Sequence, residues 1–272
     1  GGSAANTIAG MAQLGGKCAF IGQVADDQLG EVFAHDIRAG GIRYDTAARA
    51  GAPTTGRCLI FVTPDGQRTM NTFLGASHYL PAEALNRDLI ADAAYLYIEG
   101  YLWDPEEPRA AMRAAIDVAK AAGRKVAFTT SAEFVIDRHR ADFHDLIEAG
   151  LIDLIFANEA ELMCLTETQD VEAAIAAVAP KVETLVVTLA EKGALAIRGG
   201  ERTRVDAEPI DKVVDTTGAG DLFAAGFLFG QTHGHDLAAS LKLGAICAAE
   251  VISHVGARPQ ADLKTLAKAV LA

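Results

Sequence analysis

Basic charge is scarce in this chain. Its 272 residues include 24 Lys and Arg against 36 Asp and Glu, a formal net charge of −12, with no dense Lys/Arg block. A phosphate backbone is held by clustered cations, so nucleic acid is not an expected partner. Cysteine is sparse too. Cys18, Cys58, Cys164 and Cys247 are scattered, without the close pairing of metal sites or disulfide frameworks, which fits a reducing, cytoplasmic setting. No apolar run reaches the roughly 18 residues that a membrane span requires, and no basic-then-apolar leader opens the chain, so no membrane association is expected. No G-K-[ST] follows any glycine-rich turn, which excludes a Walker phosphate loop.

What is present suffices for a large core. Half of the residues (50%) are hydrophobic and 22% are charged, the balance of a globular chain. Without repeats, low-complexity stretches or linkers, one domain over residues 1–272 is expected.

From Lys17 onward, short β-rich runs alternate with helical ones. CAFIGQV precedes a helical stretch at 28–40, AYLYIEG one at 106–122, KVAFTT one at 139–149, and LIDLIFAN two at 159–166 and 170–179 before TLVVTL. Alternation of this kind predicts parallel strands with crossover helices, hence a three-layer α/β/α sandwich. Two insertions depart from the rhythm, with strands expected at 42–48 and 57–73. Within the second, RCLIFVT and QRTMNTF flank Pro64-Asp65-Gly66, a hairpin signal. A hairpin without a crossover helix cannot join a parallel sheet, so it is expected to form a small β lid. Arg198-Gly199-Gly200 predicts a second turn between antiparallel edge strands, and 218–253 reads as two packed helices.

One heptapeptide carries chemistry. Asp215-Thr216-Thr217-Gly218-Ala219-Gly220-Asp221 runs straight into the apolar helix LFAAGFLFG. Small residues at 218–220 let a ligand approach the backbone, and the helix start offers unpaired N–H groups and a positive dipole end, together an anion site. A carboxylate there repels a phosphate unless it acts as a general base on a hydroxyl that attacks phosphorus, while the 218–220 amides take up the developing charge. The bland alternative is an ordinary loop in which Asp221 merely complements the dipole.

The heptapeptide resembles the D-T-x-G-A-G-D signature of the PfkB/ribokinase family of ATP-dependent carbohydrate and nucleoside kinases. Gly1-Gly2-Ser3-Ala4-Ala5-Asn6-Thr7 is similar to that family's first signature, and Asn158-Glu159-Ala160-Glu161 to its N-x-x-E motif. RTMNTFLGAS, YIEGYLW and SHVGARP resemble the adenosine kinase branch. The resemblance implies a ribokinase-like fold and phosphoryl transfer from ATP to the 5′-hydroxyl of a nucleoside, adenosine first, by a monomer or homodimer. Asp221 would be the base, with Gly218, Ala219 and Gly220 forming the anion hole. Asn158 and Glu161 would organise the ATP phosphates and the waters of Mg²⁺. Gly2, Ser3 and Asn6 would bind ribose hydroxyls. Met70 and Phe73 would cover the base, Arg68 would reach the transferring phosphate, and Tyr101 and Leu102, with Trp103, would line the nucleoside pocket. Thr188, Gly193 and Thr217 would contact the nucleotide, and Asp215 with Thr217 would hold a monovalent cation, K⁺.

Each assignment has a plainer counterpart: a helix cap at Asn158, a glycine-rich turn at the start, a solvated Arg68, core aromatics at 101–103, and turn-forming side chains at 215 and 217. Two positions depart from the family. Ala190 stands where glycine is common, so a positive φ there would strain it. Ala25 stands before an acidic pair, and Asp26, Asp27 and Gly30 read as structural. Relatives place a strand and an acidic substrate ligand ahead of the Gly-Gly motif, so an N-terminally incomplete chain with a partly assembled site is expected. A sugar kinase of the same fold and a non-catalytic nucleotide-binding remnant are the alternatives.

Overall fold

The structure, a computed structural model, describes residues 2–271. Its elements run α1 (Ser3–Gln13), α2 (Gln28–Ala39), β1 (Arg57–Val62), β2 (Arg68–Phe73), α3 (Arg87–Asp92), β3 (Tyr95–Glu99), α4 (Glu106–Ala121) and β4 (Lys125–Thr129). They continue with α5 (Glu133–Glu148), β5 (Leu154–Asn158), α6 (Glu159–Thr166), α7 (Val171–Val178), β6 (Thr184–Thr188), β7 (Ala194–Arg198) and β8 (Glu201–Val205). The chain closes with α8 (Ala219–Thr232), α9 (Leu237–Ile252), α10 (Leu263–Leu266) and α11 (Lys268–Leu271). Two compact units result: one from the stretches up to Leu80 and from Val205 onward, the other from Pro81–Arg204.

The mixed α/β architecture read from the alternation is observed. Six strands pair in the order β3-β4-β5-β6-β7-β8. The first four are parallel, with α4, α5 and the α6–α7 pair as crossovers, and β7 runs antiparallel to β6. Residues buried on both faces explain the near-continuous apolar runs: Val126, Phe128, Ile155, Leu185, Val186 and Val187 are all buried. α5 starts earlier than 139 and carries a kink at His139, where φ is −125° and ψ is 19°. The hairpin forms as expected, β1 antiparallel to β2 with Arg57 opposite Phe73, in a two-stranded sheet of its own.

Two expected strands do not form. Segments 18–24 and 42–48 form no continuous ladder: the backbone pairs only at isolated bridges, Ala19 with Arg43 and, just beyond, Ala25 with Arg49. Between them the Gly22 carbonyl accepts from the Tyr44 hydroxyl at 3.0 Å, so a side chain takes the place of a ladder partner. Their apolar residues Phe20, Ile42 and Tyr44 are consumed in a cluster with Phe33 and Ile37 of α2. Asp27 is structural, as read: it caps α2 by accepting from the Gly30 amide at 2.8 Å and also takes the Thr55 amide at 2.8 Å. Among the described residues no disulfide forms, and no helix is long and apolar enough to cross a membrane.

In the first unit, α8 is buried from Leu222 through Gly230 and packs between α1 and α9. The α1 contact is very close. A methyl group at Gly10 would lie 2.4 Å from Leu222 Cδ1 and 3.0 Å from Ala225 Cβ. A larger residue would have to displace Leu222 and press on Ala225, so glycine favours this close approach, which brings the start of α1 to the start of α8.

Candidate active site

The heptapeptide builds its helix start from local constraints. Asp215, 2% exposed, accepts from the Thr217 amide at 2.9 Å through one oxygen and from the Gly256 amide at 2.9 Å through the other. Burial works to raise its carboxyl, and the hydrogen bonds from Thr217 and Gly256 outweigh that, holding it below its usual value. The Thr217 hydroxyl is buried without a well-formed hydrogen bond of its own, although it contributes to holding that carboxyl down. Gly218 caps α8 at φ +87°, ψ 0°, and an added Cβ would sit 2.9 Å from Ala257 Cβ. Both the backbone angle and the space therefore require glycine.

Beyond that turn, the first-turn amides of α8 have no intrahelical acceptors. The Ala219 amide makes a long turn bond of 3.3 Å to the Thr216 carbonyl, while a Cβ built on Gly220 would meet nothing within 4 Å. The helix start is thus open where an anion would approach. Asp221, half-buried in the same turn, accepts a hydrogen bond from Asn6 Nδ2 at 2.9 Å across 215 residues of sequence. Asn6 is 6% exposed on α1 and accepts in turn from Arg258 Nε at 3.2 Å. The close α1–α8 packing therefore brings two candidates from opposite ends of the chain, Asn6 and Asp221, into direct contact. Ser3 lies one turn before Asn6, and Gly2, at φ +98°, is exposed ahead of the helix. Gly1 lies outside the described residues.

The hairpin reaches the same loop. Arg68 Nη1 donates to Thr216 Oγ1 at 2.7 Å, and the Thr216 amide donates to the Gly66 carbonyl at 3.2 Å. Met70 and Phe73 are both exposed, 47% and 44%, but strand alternation puts them on opposite faces of β2, so they cannot cover one ring together. Phe73 instead lies under the Arg57 guanidinium, 4.8 Å from its ring centre.

The second unit gathers its candidates at the carboxyl ends of its parallel strands, where open α/β sheets hold ligands. Asn158 and Thr188 end β5 and β6 and stand opposite one another in register. Asn158 and Glu161 form a complete capping box: the Glu161 amide donates to Asn158 Oδ1 at 2.8 Å, and the Asn158 amide donates to Glu161 Oε2 at 3.2 Å. Glu161 also accepts from Asn158 Nδ2 at 2.8 Å on Oε1 and from Thr130 Oγ1 at 2.7 Å on Oε2. Burial pushes its carboxyl above the usual value despite these bonds. After β6, Ala190 takes φ +50° and Gly193 φ +91°, so alanine does occupy a left-handed position there. Tyr101 and Leu102 follow β3 half-buried, whereas Trp103 is fully buried and donates from Nε1 to Asp142 at 2.8 Å, a core residue and not a pocket wall.

Sequence reasoning did not single out Arg258, Thr130 or Gly10. Arg258 lies within SHVGARP, but its partner is 252 residues away, and no local spacing signals that. Among the described residues no group of three or more His, Cys, Asp or Glu is placed to hold a metal ion.

A family model described as pfkB family carbohydrate kinase matches residues 1–264. The chain is 48% identical to a structure of adenosine kinase from Sinorhizobium meliloti, covering 99% of this chain and 82% of that one at a TM-score of 0.97. It is 47% identical to a structure of a probable sugar kinase from Rhizobium etli, with the same two coverages and the same TM-score. A fructokinase from Klebsiella pneumoniae is 29% identical over 267 residues, 94% of this chain and 87% of its own length.

Proposed function

Because the chain belongs to the pfkB family of carbohydrate kinases and is an ATP-dependent kinase acting on an alcohol group, we propose that its acceptor is the 5′-hydroxyl of a nucleoside, adenosine first. The observation that carries the chemistry is Asp221 in the open first turn of α8, beyond a Gly218 that a larger residue replaces only with backbone strain and crowding against Ala257. The acceptor hydroxyl gives its proton to the Asp221 carboxylate. Its oxygen forms a bond to the γ-phosphorus of ATP, the bond from that phosphorus to the β-bridging oxygen breaks, and ADP leaves. The amides at the start of α8 take up charge on the transferred group.

In this reading Ser3 and Asn6 position the acceptor, Asn6 with the one amide hydrogen not given to Asp221. Asn158, Thr188 and Gly193 are assigned to the nucleotide. Glu161 suits a Mg²⁺ ion held through water: an ionised carboxylate has about four acceptor positions, and hydrogen bonds fill three of these. Mg²⁺, when bound, neutralises charge on the ATP phosphate oxygens. Asp215 and the unsatisfied Thr217 hydroxyl offer the oxygen donors that a monovalent cation takes.

The adenosine assignment is supported by the 48% identity to the Sinorhizobium enzyme. The fructokinase relative favours a second reading, a hexose acceptor in the same site. ATP turnover with adenosine, ribose and fructose in parallel separates them. Turnover with adenosine above both sugars supports the first reading, turnover with a sugar alone overturns it, and none with any acceptor returns the chain to a nucleotide-binding role.

A further inference from the structure

The Asn6 amide stands between a carboxylate and a guanidinium, and only one of its two orientations suits both. Arginine has donors and no acceptor, so the amide oxygen must face Arg258; the amide nitrogen then faces Asp221, which accepts when ionised. The reversed amide would set an N–H against the guanidinium and a carbonyl oxygen against the carboxylate, a contact that only a protonated Asp221 would satisfy. We propose that Arg258 is a positioning residue: it locks the Asn6 amide in the orientation that donates to Asp221 and so keeps that carboxylate an acceptor, the form a general base requires.

Three features of the fold support the lock. Arg258 is half-buried, so its guanidinium is not a freely sweeping surface charge. Its segment is fixed from beneath, because the Gly256 amide is bound by Asp215 and Ala257 packs against Gly218. Asn6 is held on α1, whose distance from α8 is set by Gly10 against Leu222. The segment that shapes the anion turn thus also aims the residue that orients the base. Burial holds the Arg258 guanidinium below its usual value, with Asp36 acting in the opposite sense; an arginine so placed remains a cation at neutral pH.

The inference rests on Asp221 acting as the base, and its test has an arm independent of activity. In a neutron crystal structure of the ligand-free Arg258→Met protein, which shows the amide hydrogens, the Asn6 side chain should no longer donate to Asp221 or should occupy two orientations. In steady-state kinetics Arg258→Met should lower kcat about tenfold, the scale of one charge-assisted hydrogen bond, with KM for ATP changed by less than about twofold. Arg258→Lys, which retains a cationic donor, should recover most of that loss. On an Asn6→Ala background, Arg258→Met should cost less than about twofold further, because the amide it orients is gone. An unchanged Asn6–Asp221 contact in the Arg258→Met crystal overturns the proposal. So does a full second loss on the Asn6→Ala background, or a Lys variant no better than Met. If the parent protein turns over no acceptor, the kinase reading fails, and the crystal structure still decides whether Arg258 sets the amide. Should Arg258→Met fold poorly, the crystal structure and kinetics of Arg258→Gln, alone and combined with Asn6→Ala, carry the same comparison.

Discussion

Arg68, on the second strand of the hairpin, donates to the Thr216 hydroxyl at 2.7 Å, linking the two-stranded sheet to the loop that starts α8. Thr216 answers with a second tie, its own hydroxyl donating to the Gly66 carbonyl at 3.2 Å in the hairpin turn. Replacing Thr216 with Val removes both. Each bond is worth about 0.5–1.5 kcal/mol at most, less for an exposed arginine, so global stability should change little. Hydrogen exchange of the 57–73 amides should quicken while that of α8 and α9 stays unchanged. Exchange that quickens equally in all three would show that Thr216 supports the core and not the hairpin.

Asp221→Asn tests the base. The amide keeps the size of the carboxylate and loses its proton affinity, so turnover should fall by about 10²-fold or more, the range for removing a general base. ATP affinity, measured by calorimetry, should stay close to that of the parent. Equal turnover in parent and variant would leave Asp221 with only its role at the helix dipole.

Gly218→Ala combines two costs, a side chain at φ +87° and a Cβ 2.9 Å from Ala257 Cβ. Strain and overpacking of this kind cost about 1–3 kcal/mol each, so the denaturation midpoint should drop clearly. By contrast, a Cβ at Gly220 meets open space, so Gly220→Ala should leave stability nearly unchanged and act on turnover instead. Denaturant titration of both variants distinguishes the two positions.

The Asp215 carboxyl is held below its usual value, which fixes the sign of a pH effect. Its folded-state pKa lies under its unfolded one, so its stabilisation is fully present above about pH 4, the unfolded value, and is lost as pH falls through the lowered folded value. Asp215→Asn should therefore be less stable than the parent at neutral pH, with the gap closing in acid. Melting temperatures of the two proteins from pH 2 to 7 measure it, and a constant gap over that range contradicts the assignment.

Glu161→Gln should shift the Mg²⁺ dependence of ATP turnover to several-fold higher concentration, because an amide holds metal-bound water less well than a carboxylate. The Asn158 side chain still caps α6, so the helix should persist by circular dichroism. An unchanged Mg²⁺ titration would leave Glu161 as half of a capping box and nothing more.

Much was legible before any coordinates. Asp215 to Asp221 announced a turn and a helix start, Pro64-Asp65-Gly66 a hairpin, and Asn158-x-x-Glu161 a capped helix, because each depends on residues within a few positions of one another. Ala190 was legible only through the resemblance, as a residue standing where the family commonly has glycine, and its φ of +50° is indeed left-handed. The segments 18–24 and 42–48 were misread because β-rich composition states a preference, whereas a strand also needs a continuous partner, and Tyr44 took the carbonyl that a ladder would have used. Met70 and Phe73 were misread as a pair because their spacing of three residues places them on opposite faces of a strand.

The sequence by itself determined the local structure: which glycine-rich turn starts α8, which carboxylate sits in its first turn, and which strand ends carry polar groups. Only the tertiary structure decided how Asp221 is held. Asn6, Asp221 and Arg258 come from distant parts of the chain, and they meet because Gly10 lets α1 close on α8 and Gly218 lets the 253–258 segment close on its start. A hydrogen bond across more than 200 residues leaves no periodicity to read, since its geometry is set by how closely helices pack and not by the order of the residues along either one.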